Sequence, residues 1–244
     1  MLAIGGTGGG DPEPSAGVPR LVTYALELSG RPAPRVCLLH TATGDDPRGL
    51  ARQYSALAAT PARVTHLELF PMPNVADPED LLLSQDVIFV GGGSVANLVA
   101  VWRVHELDRI LRAAWQAGIV LSGVSAGAIC WFEGGTTDSF GTGLRPFTAG
   151  LGFLPGSYCP HYSSEPARRP VFRSLVADGT LPAGLACDDG AAAHFAGDSL
   201  AEMVTERPEA LGYRVDPDDA GGAAETPLPA RLLPGDQVAG GQPR

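Results

Sequence analysis

The 244-residue chain contains no lysine, because all 17 of its basic residues are arginine, and it carries 27 aspartates and glutamates. Without lysine, the chain cannot form a Schiff base, a Ser-Lys dyad or the lysine contact of a phosphate-binding P-loop. The formal charge of −10 also argues against a nucleic-acid partner, since binding to phosphates needs an excess of basic residues. The composition therefore disfavours lysine chemistry and nucleic-acid binding.

Long apolar runs and paired cysteines are missing as well. The apolar stretches are strand-length and well short of the ~20 residues that span a bilayer, and the N-terminus lacks the basic segment of a signal peptide. The four cysteines form no C-x-x-C pair and do not have the spacing of metal ligands. They are Cys37, Cys130, Cys159 and Cys187. We therefore expect a cytoplasmic protein with buried thiols, no metal, no cofactor and no membrane partner.

Short apolar runs alternate with amphipathic segments, which is typical of a parallel sheet covered by helices on both faces. Alternating segments over residues 184–215 predict antiparallel strands at the sheet's edge. We predict one α/β domain over residues 1–232 and a flexible tail over 233–244. The predicted strands are 2–5, 35–39, 64–70, 86–90 and 119–123, and the predicted helices are 15–28, 47–60, 104–117 and 165–177.

The most informative stretch is Gly123-Val124-Ser125-Ala126-Gly127, a G-x-S-x-G motif between a predicted strand and an apolar helix start. In this context a sharp turn exposes the serine above the sheet, and the N–H groups that follow point at developing negative charge. Ser125 is therefore a candidate nucleophile. The structural alternative is a glycine-lined turn with an ordinary N-cap serine.

A serine hydroxyl needs a base to take its proton, and histidine is the usual one. His161 is the best candidate, because it ends the extended segment Cys159-Pro160-His161, whereas His194 in an alanine-rich strand fits a structural imidazole better. The other histidines are His40, His66 and His105. The acid that orients the imidazole stays open among Glu133, Asp138, Asp188 and Asp189.

The loop Gly91-Gly92-Gly93 directly follows a predicted strand and has two interpretations. Its N–H groups could join that of Ala126 in stabilising an oxyanion. Alternatively, Gly91-x-Gly93-x-x-Ala96 fits a loose dinucleotide fingerprint. We favour the oxyanion hypothesis, because the fingerprint requires a following strand that ends in an acid, and here that strand ends in Ser125.

Three motifs in order resemble the peptidase E (aspartyl dipeptidase) family of serine peptidases: Val90-Gly91-Gly92-Gly93, Gly123-Val124-Ser125-Ala126-Gly127-Ala128 and Cys159-Pro160-His161-Tyr162. Relatives of that family include cyanophycinase, and its fold resembles the class I glutamine amidotransferases. The resemblance covers about residues 2–232. It implies a flavodoxin-like doubly wound α/β fold with a mostly parallel sheet, helices on both faces and antiparallel edge strands, and hydrolysis of the amide bond of short peptides.

The resemblance also implies roles for individual residues. Ser125 matches the family's nucleophile and His161 its base. Asp189, followed by glycine, stands where the family has its acid, with Asp188 as the fallback. The glycine loop would then place Gly92 or Gly93 opposite Ala126.

The family's preference for an N-terminal aspartate depends on an arginine after the catalytic histidine, and here that segment is shorter and differently spaced. Arg168 or Arg169, beside Tyr162, could still present a bidentate fork to a substrate carboxylate, so an acidic N-terminal residue is an open preference. A short peptide is the expected partner, and a homodimer is left open. Two other hypotheses remain, a non-hydrolytic nucleotide- or anion-binding protein that uses the glycine loops, and an esterase of α/β-hydrolase type with His194 as base.

Overall fold

Two β-sheets and their flanking helices make up the part of the chain, residues 1–7 and 18–234, that a computed structural model describes. The strands are β1 (Leu2–Ile4), β2 (Arg35–Leu39), β3 (Arg63–Leu67), β4 (Val87–Val90), β5 (Val120–Val124), β6 (Gly134–Thr137), β7 (Arg145–Phe147), β8 (Ser157–Cys159), β9 (Gly184–Cys187), β10 (Ala191–Ala196), β11 (Ser199–Thr205), β12 (Gly212–Pro217), β13 (Ala223–Leu228) and β14 (Ala230–Leu232). The helices are α1 (Arg20–Glu27), α2 (Pro47–Leu57), α3 (Pro78–Leu83), α4 (Val95–Val104), α5 (Leu107–Gln116), α6 (Ala126–Ile129) and α7 (Arg168–Ala177).

The larger sheet has the strand order β14-β11-β10-β1-β5-β4-β2-β3. Five strands of this sheet are parallel to one another: β1, β5, β4, β2 and β3. On the other side of β1, β10 pairs antiparallel with β1 and with β11, and β14 forms the edge, parallel to β11. This arrangement confirms the predicted α/β class with a mostly parallel sheet and antiparallel edge strands. Helices cover both faces, because alternate residues of each buried strand point to opposite sides.

Strand β2 shows this alternation clearly. Val36 and Leu38 pack in one core with residues of α1 and α2, whereas Cys37 and Leu39 pack in the opposite core with residues of α4 and α5. Both faces of these parallel strands are therefore buried, which is the reason that the strands are almost continuously apolar in sequence.

The second sheet was not anticipated from the sequence. It has the order β13-β12-β9-β8-β6-β7, with β8 parallel to both β6 and β9. Three of its strands, β6, β7 and β8, lie between α6 and α7, where the sequence contains short, glycine-rich runs with weak periodicity. Its pairings join residues distant in sequence, as Gly134 with Ser157, and such long-range contacts leave little local signal.

Several element boundaries differ from those predicted. The helix expected over 104–117 is α5, which begins only at Leu107, because Glu106 has a left-handed backbone (φ 57°) that separates it from α4. The helix expected from residue 165 begins at Arg168. Leu233, assigned to the tail, is buried, and its N–H donates to the Thr205 carbonyl at 2.7 Å. The rest of the tail from residue 235, and the expected helix start at 15–17, lie outside the described residues.

Candidate active site

Ser125 stands at the carboxyl end of β5, in the middle of the larger sheet. Its backbone has φ 55° and ψ −117°, a strained combination for a residue with a side chain. The turn is held because the Ser125 N–H donates to the Ile4 carbonyl at 3.1 Å, while its own carbonyl accepts from Ala128 and Ile129. This is the geometry that a nucleophile elbow requires.

The two glycines of the G-x-S-x-G motif are required by this turn. A Cβ on Gly123 would overlap the Gly127 carbonyl, and a Cβ on Gly127 would overlap the Val90 carbonyl. Both positions have backbone packed directly against them, so a larger residue would force the strand and helix apart. The motif is therefore a steric requirement of the elbow at this site.

His161 reaches Ser125 from the other sheet. It lies just past the end of β8, and its backbone has φ 54°, which turns the imidazole toward the elbow. Its Nε2 atom lies 2.8 Å from Ser125 Oγ. The ring is half-buried, and this distance lets an imidazole accept the hydroxyl proton.

Asp189 completes a continuous line of hydrogen bonds. Its Oδ1 lies 2.7 Å from His161 Nδ1, and its side chain is 10% exposed. The hydrogen bond with His161 holds the pKa of the Asp189 carboxyl below its usual value, despite the opposing effect of burial, and the positive charge of Arg207 acts in the same direction. Strands β8 and β9 are parallel neighbours, so the residues that follow them, His161 and Asp189, lie side by side.

Asp188, the fallback acid, faces away from His161. Its Oδ2 accepts from the Leu211 N–H at 3.0 Å and the Tyr213 hydroxyl at 3.4 Å. Glu133 accepts from the Gly156 N–H and serves its own loop. The structure thus brings Asp189, and neither of these two acids, to the imidazole.

Gly6 is a residue of this site that the sequence analysis missed. A Cβ at this position would overlap the Asp189 carboxylate and approach the His161 ring to 2.5 Å. The Gly6 carbonyl accepts from the Gly190 N–H at 2.8 Å, which ties the acid's turn to the end of β1. No local pattern indicates this steric role, because the residues packed against Gly6 come from distant parts of the sequence.

The glycine loop after β4 lies directly beside the elbow. A Cβ on Gly92 would be 3.3 Å from Ser125 Cβ and 3.8 Å from Ser125 Oγ, while Gly93 (φ 136°) is packed against Ala42. The N–H groups of Gly92, Gly93 and Ala126 donate to no acceptor within residues 1–7 and 18–234. They are therefore available to an anionic oxygen next to Ser125.

Of the three predicted substrate-binding residues, Tyr162 and Arg168 are buried, and Arg169 is partly exposed but paired. Tyr162 is fully buried, and its hydroxyl donates to Glu225 at 2.5 Å. Arg168 is 3% exposed and donates to Glu165 and to the Thr136 carbonyl. Arg169 pairs with Glu225 through two of its nitrogens. The partner of Tyr162 and Arg169, Glu225, comes from β13, which lies far away in the sequence.

The remaining histidines have other partners. His66 contacts the Tyr54 hydroxyl and His194 the Tyr24 hydroxyl, at 2.8 Å and 3.1 Å. His40 Nε2 lies 2.9 Å from Gln53 Oε1. His105 ends helix α4. Within the described residues, His161 is the histidine that contacts Ser125.

A cavity of about 320 Å³ lies beside Gly92, between the larger sheet and helices α1 and α2. Its walls are mainly aliphatic and aromatic carbon, from residues such as Val22, Leu26, Val36 and Phe89. The His40–Gln53 pair lies at the same cavity.

The model of peptidase family S51 matches residues 4–203 of this chain. The chain belongs to peptidase family S51. As a member of S51, it is a serine-type peptidase, and the nucleophile elbow, the imidazole and the glycine loop described above all lie inside the matched region. None of the described helices is long and apolar enough to cross a membrane.

Two relatives agree with the S51 assignment. The chain is 44% identical over 235 residues to the uncharacterized peptidase YgaJ of Bacillus subtilis (strain 168), covering 96% of this chain and 98% of that protein. It is 30% identical over 143 residues to peptidase E of Shewanella denitrificans (strain OS217 / ATCC BAA-1090 / DSM 15013), covering 55% of this chain and 60% of that protein.

Solved structures support the S51 fold. A peptidase from an acI-B1 actinobacterium superposes with a TM-score of 0.66 at 15% identity, covering 94% of this chain and 93% of that one. A Listeria monocytogenes EGD-e protein that carries the name peptidase E superposes with a TM-score of 0.58 at 18% identity, covering 78% and 95%. At these identities the likeness concerns the fold alone.

Proposed function

We propose that this S51 peptidase hydrolyses the amide bond of short peptides through a Ser125–His161–Asp189 triad and an acyl-enzyme. The observation that carries the proposal is the unbroken line of contacts from Ser125 Oγ to His161 Nε2, and from His161 Nδ1 to Asp189 Oδ1, at 2.8 Å and 2.7 Å. A serine, an imidazole and a carboxylate in this order form the arrangement that activates a hydroxyl for acyl transfer.

In the first step, His161 Nε2 takes the Ser125 proton while Oγ attacks the peptide carbonyl. The ionised Asp189 holds the imidazole with its Nδ1 proton and stabilises the imidazolium that forms. His161 then donates a proton to the leaving amine, and the acyl group stays on Ser125. The same imidazole, neutral again, then takes a proton from a water molecule as that water attacks the ester. The imidazolium returns this proton to Ser125 Oγ as the acid leaves.

The tetrahedral intermediates carry a negative oxygen, which the protein must stabilise. The N–H of Ala126, which follows Ser125, and those of Gly92 and Gly93, in the loop whose Gly92 packs against Ser125, have no acceptors of their own in the described part of the chain. Donors held in place before the reaction lower the barrier without reorganisation, and the loss of one typically costs about 10²–10³ in kcat.

The proposal does not include a preference for an acidic N-terminal residue. Arg168 and Arg169, which the family resemblance offered for a substrate carboxylate, are engaged with Glu165, Thr136 and Glu225. A substrate carboxylate at either one would have to displace an existing ion pair.

The test compares Ser125→Ala with His194→Ala as a matched control. Ser125→Ala removes the nucleophile and should lower dipeptide hydrolysis by about 10³-fold or more, and it should abolish labelling by a fluorophosphonate. His194→Ala removes an imidazole that contacts Tyr24 and Glu202, away from the elbow, and should keep both labelling and turnover.

Undiminished turnover in Ser125→Ala would contradict the mechanism. Loss of turnover in His194→Ala with its fold intact would favour the esterase hypothesis instead. Calorimetry with NAD and ATP addresses the remaining hypothesis, since micromolar nucleotide binding without fluorophosphonate labelling would favour a binding protein.

A further inference from the structure

The cavity of about 320 Å³ beside Gly92 is not used by the mechanism above. It opens next to the elbow, because Gly92 and Val124, the residue directly before Ser125, both line it. A Cβ on Gly92 would lie 3.8 Å from Ser125 Oγ, so the cavity begins within one side chain's reach of the nucleophile.

The position of the histidine decides which part of a substrate faces the cavity. His161 lies against Gly6, on the β1 side of the elbow, whereas Gly92 follows β4 on the opposite side. The leaving nitrogen must face His161 Nε2, since that atom protonates it. The acyl residue, which carries the attacked carbonyl, therefore extends away from His161 toward the β4 side. There Phe89 and Gly92 line the cavity, whose wall also extends to Thr7 on the β1 side.

The walls of the cavity match an apolar group. Helices α1 and α2 and the strands beneath them contribute aliphatic and aromatic side chains, including Val22, Leu26, Leu57 and Phe89. The polar side chains there have partners already, since His40 contacts Gln53 and Asp46 accepts from the Arg48 N–H. Among the described lining residues only Arg52 carries a fixed positive charge, and it lies at the exposed rim.

The volume also suits a small ligand. About 320 Å³ is at the lower end of the range of ~300–1,000 Å³ that is typical of ligand pockets. It accommodates one large side chain, not an extended peptide. A carboxylate placed among these walls would lose its hydration without gaining comparable hydrogen bonds.

We propose that this cavity receives the side chain of the acyl residue, the N-terminal residue of a dipeptide, and that it selects aliphatic and aromatic side chains over acidic ones. The inference rests on the proposed function, because that mechanism gives the orientation of the substrate.

The first experiment measures kcat/KM of the wild-type enzyme for dipeptides that share one C-terminal residue and differ in the N-terminal one. The kcat/KM for the peptides with N-terminal leucine or phenylalanine should exceed that for the glycine peptide by about 10–100-fold. This is the range that extra apolar groups give in a hydrophobic pocket. The kcat/KM for the peptide with N-terminal aspartate should be at least about tenfold below that for the leucine peptide. Aspartate preferred over leucine would overturn the inference.

The second experiment fills the cavity. Ala56 on α2 lines it and is half-buried, so Ala56→Phe should lower kcat/KM for the leucine and phenylalanine peptides by about tenfold or more and that for the glycine peptide by less than about threefold. Ala51→Phe is the matched control, because Ala51 lies on the same helix, is exposed and does not line the cavity. Circular dichroism and thermal melting verify that both variants fold.

A binding measurement separates this inference from the proposed mechanism. Calorimetry with the Ser125→Ala protein should show tighter binding of the leucine peptide than of the aspartate peptide, and Ala56→Phe in that background should remove the difference. If the wild type hydrolyses no peptide but this preference is found, the mechanism fails and the cavity assignment stands. If hydrolysis depends on Ser125 but Ala56→Phe lowers kcat/KM for all peptides equally, the cavity assignment fails and the mechanism stands.

Discussion

The Asp189→Asn variant isolates the contribution of one carboxylate to the proposed mechanism. Asp189 Oδ1 accepts the N–H of His161 Nδ1 at 2.7 Å, which leaves Nε2 unprotonated and facing Ser125 Oγ at 2.8 Å. Asparagine has the same shape, but its amide can donate to Nδ1 and so favours the tautomer with the proton on Nε2. In that tautomer the imidazole cannot take the serine proton.

The structure sets the size of the expected loss. The Asp189 side chain is 10% exposed, so water cannot readily replace the lost acceptor. We expect kcat to fall about 10⁴-fold, as the same change does in other serine triads, which corresponds to about 5 kcal/mol of transition-state stabilisation. The hydrogen bond with His161 lowers the pKa of Asp189, so the wild-type carboxylate stays ionised well below neutral pH and its protonation does not limit activity there.

The assay is steady-state dipeptide hydrolysis together with the rate of fluorophosphonate labelling, and Asp188→Asn is the control. Asp188 accepts from Leu211 and Tyr213 and does not contact His161, so its amide variant should keep kcat within about threefold while losing about 1 kcal/mol of stability. A larger loss of kcat in Asp188→Asn than in Asp189→Asn would refute the assignment of the acid. So would an Asp189→Asn enzyme that keeps more than about a tenth of wild-type kcat.

Three further predictions concern the fold around the site. Gly123→Ala should destabilise the protein by about 3 kcal/mol in urea unfolding, because its Cβ would overlap the Gly127 carbonyl; an unchanged midpoint would contradict this. The four cysteines are buried, and burial raises their thiol pKa values, to about 12 for three of them, so native protein at pH ~8 should resist thiol reagents that label the denatured chain. The hydrogen bond from Arg231 lowers the pKa of Glu202 to about 2. The stability that the ionised Glu202 contributes is therefore present above pH ~4.3 and is lost as the pH falls toward ~2. In Arg231→Gln the melting temperature should change less with pH over this interval.

Local patterns predicted the parallel half of the fold well. The strand at Arg35–Leu39 has the predicted bounds, because strand length depends on near neighbours in sequence. The helix expected from residue 104 begins at Leu107 instead, because the left-handed backbone of Glu106 leaves no signal in an amphipathic pattern. The second sheet was also missed, because its short strands pair across long sequence separations.

In the candidate site, too, features set by neighbouring residues were predictable, and features set by distant residues were not. The elbow at Ser125 was predictable, since two small residues and a serine between strand and helix impose the turn locally. Tyr162 and Arg168, the candidates for substrate binding, are engaged inside the fold instead. Both are buried against residues that no local pattern places beside them. Glu225 accepts hydrogen bonds from the Tyr162 hydroxyl and from the Arg169 guanidinium.

The sequence by itself determined the chemistry that this chain can attempt. The absence of lysine, the G-x-S-x-G turn and the glycine loop after β4 leave a serine nucleophile with a histidine base. Only the tertiary structure decided which acid meets that base and what surrounds the nucleophile. His161 is 36 residues from Ser125 and 28 from Asp189, and the three meet only because β8 and β9 of one sheet end at the elbow of the other. Side-chain contacts of this kind depend on strand pairing over long separations, and that pairing is a property of the folded chain as a whole.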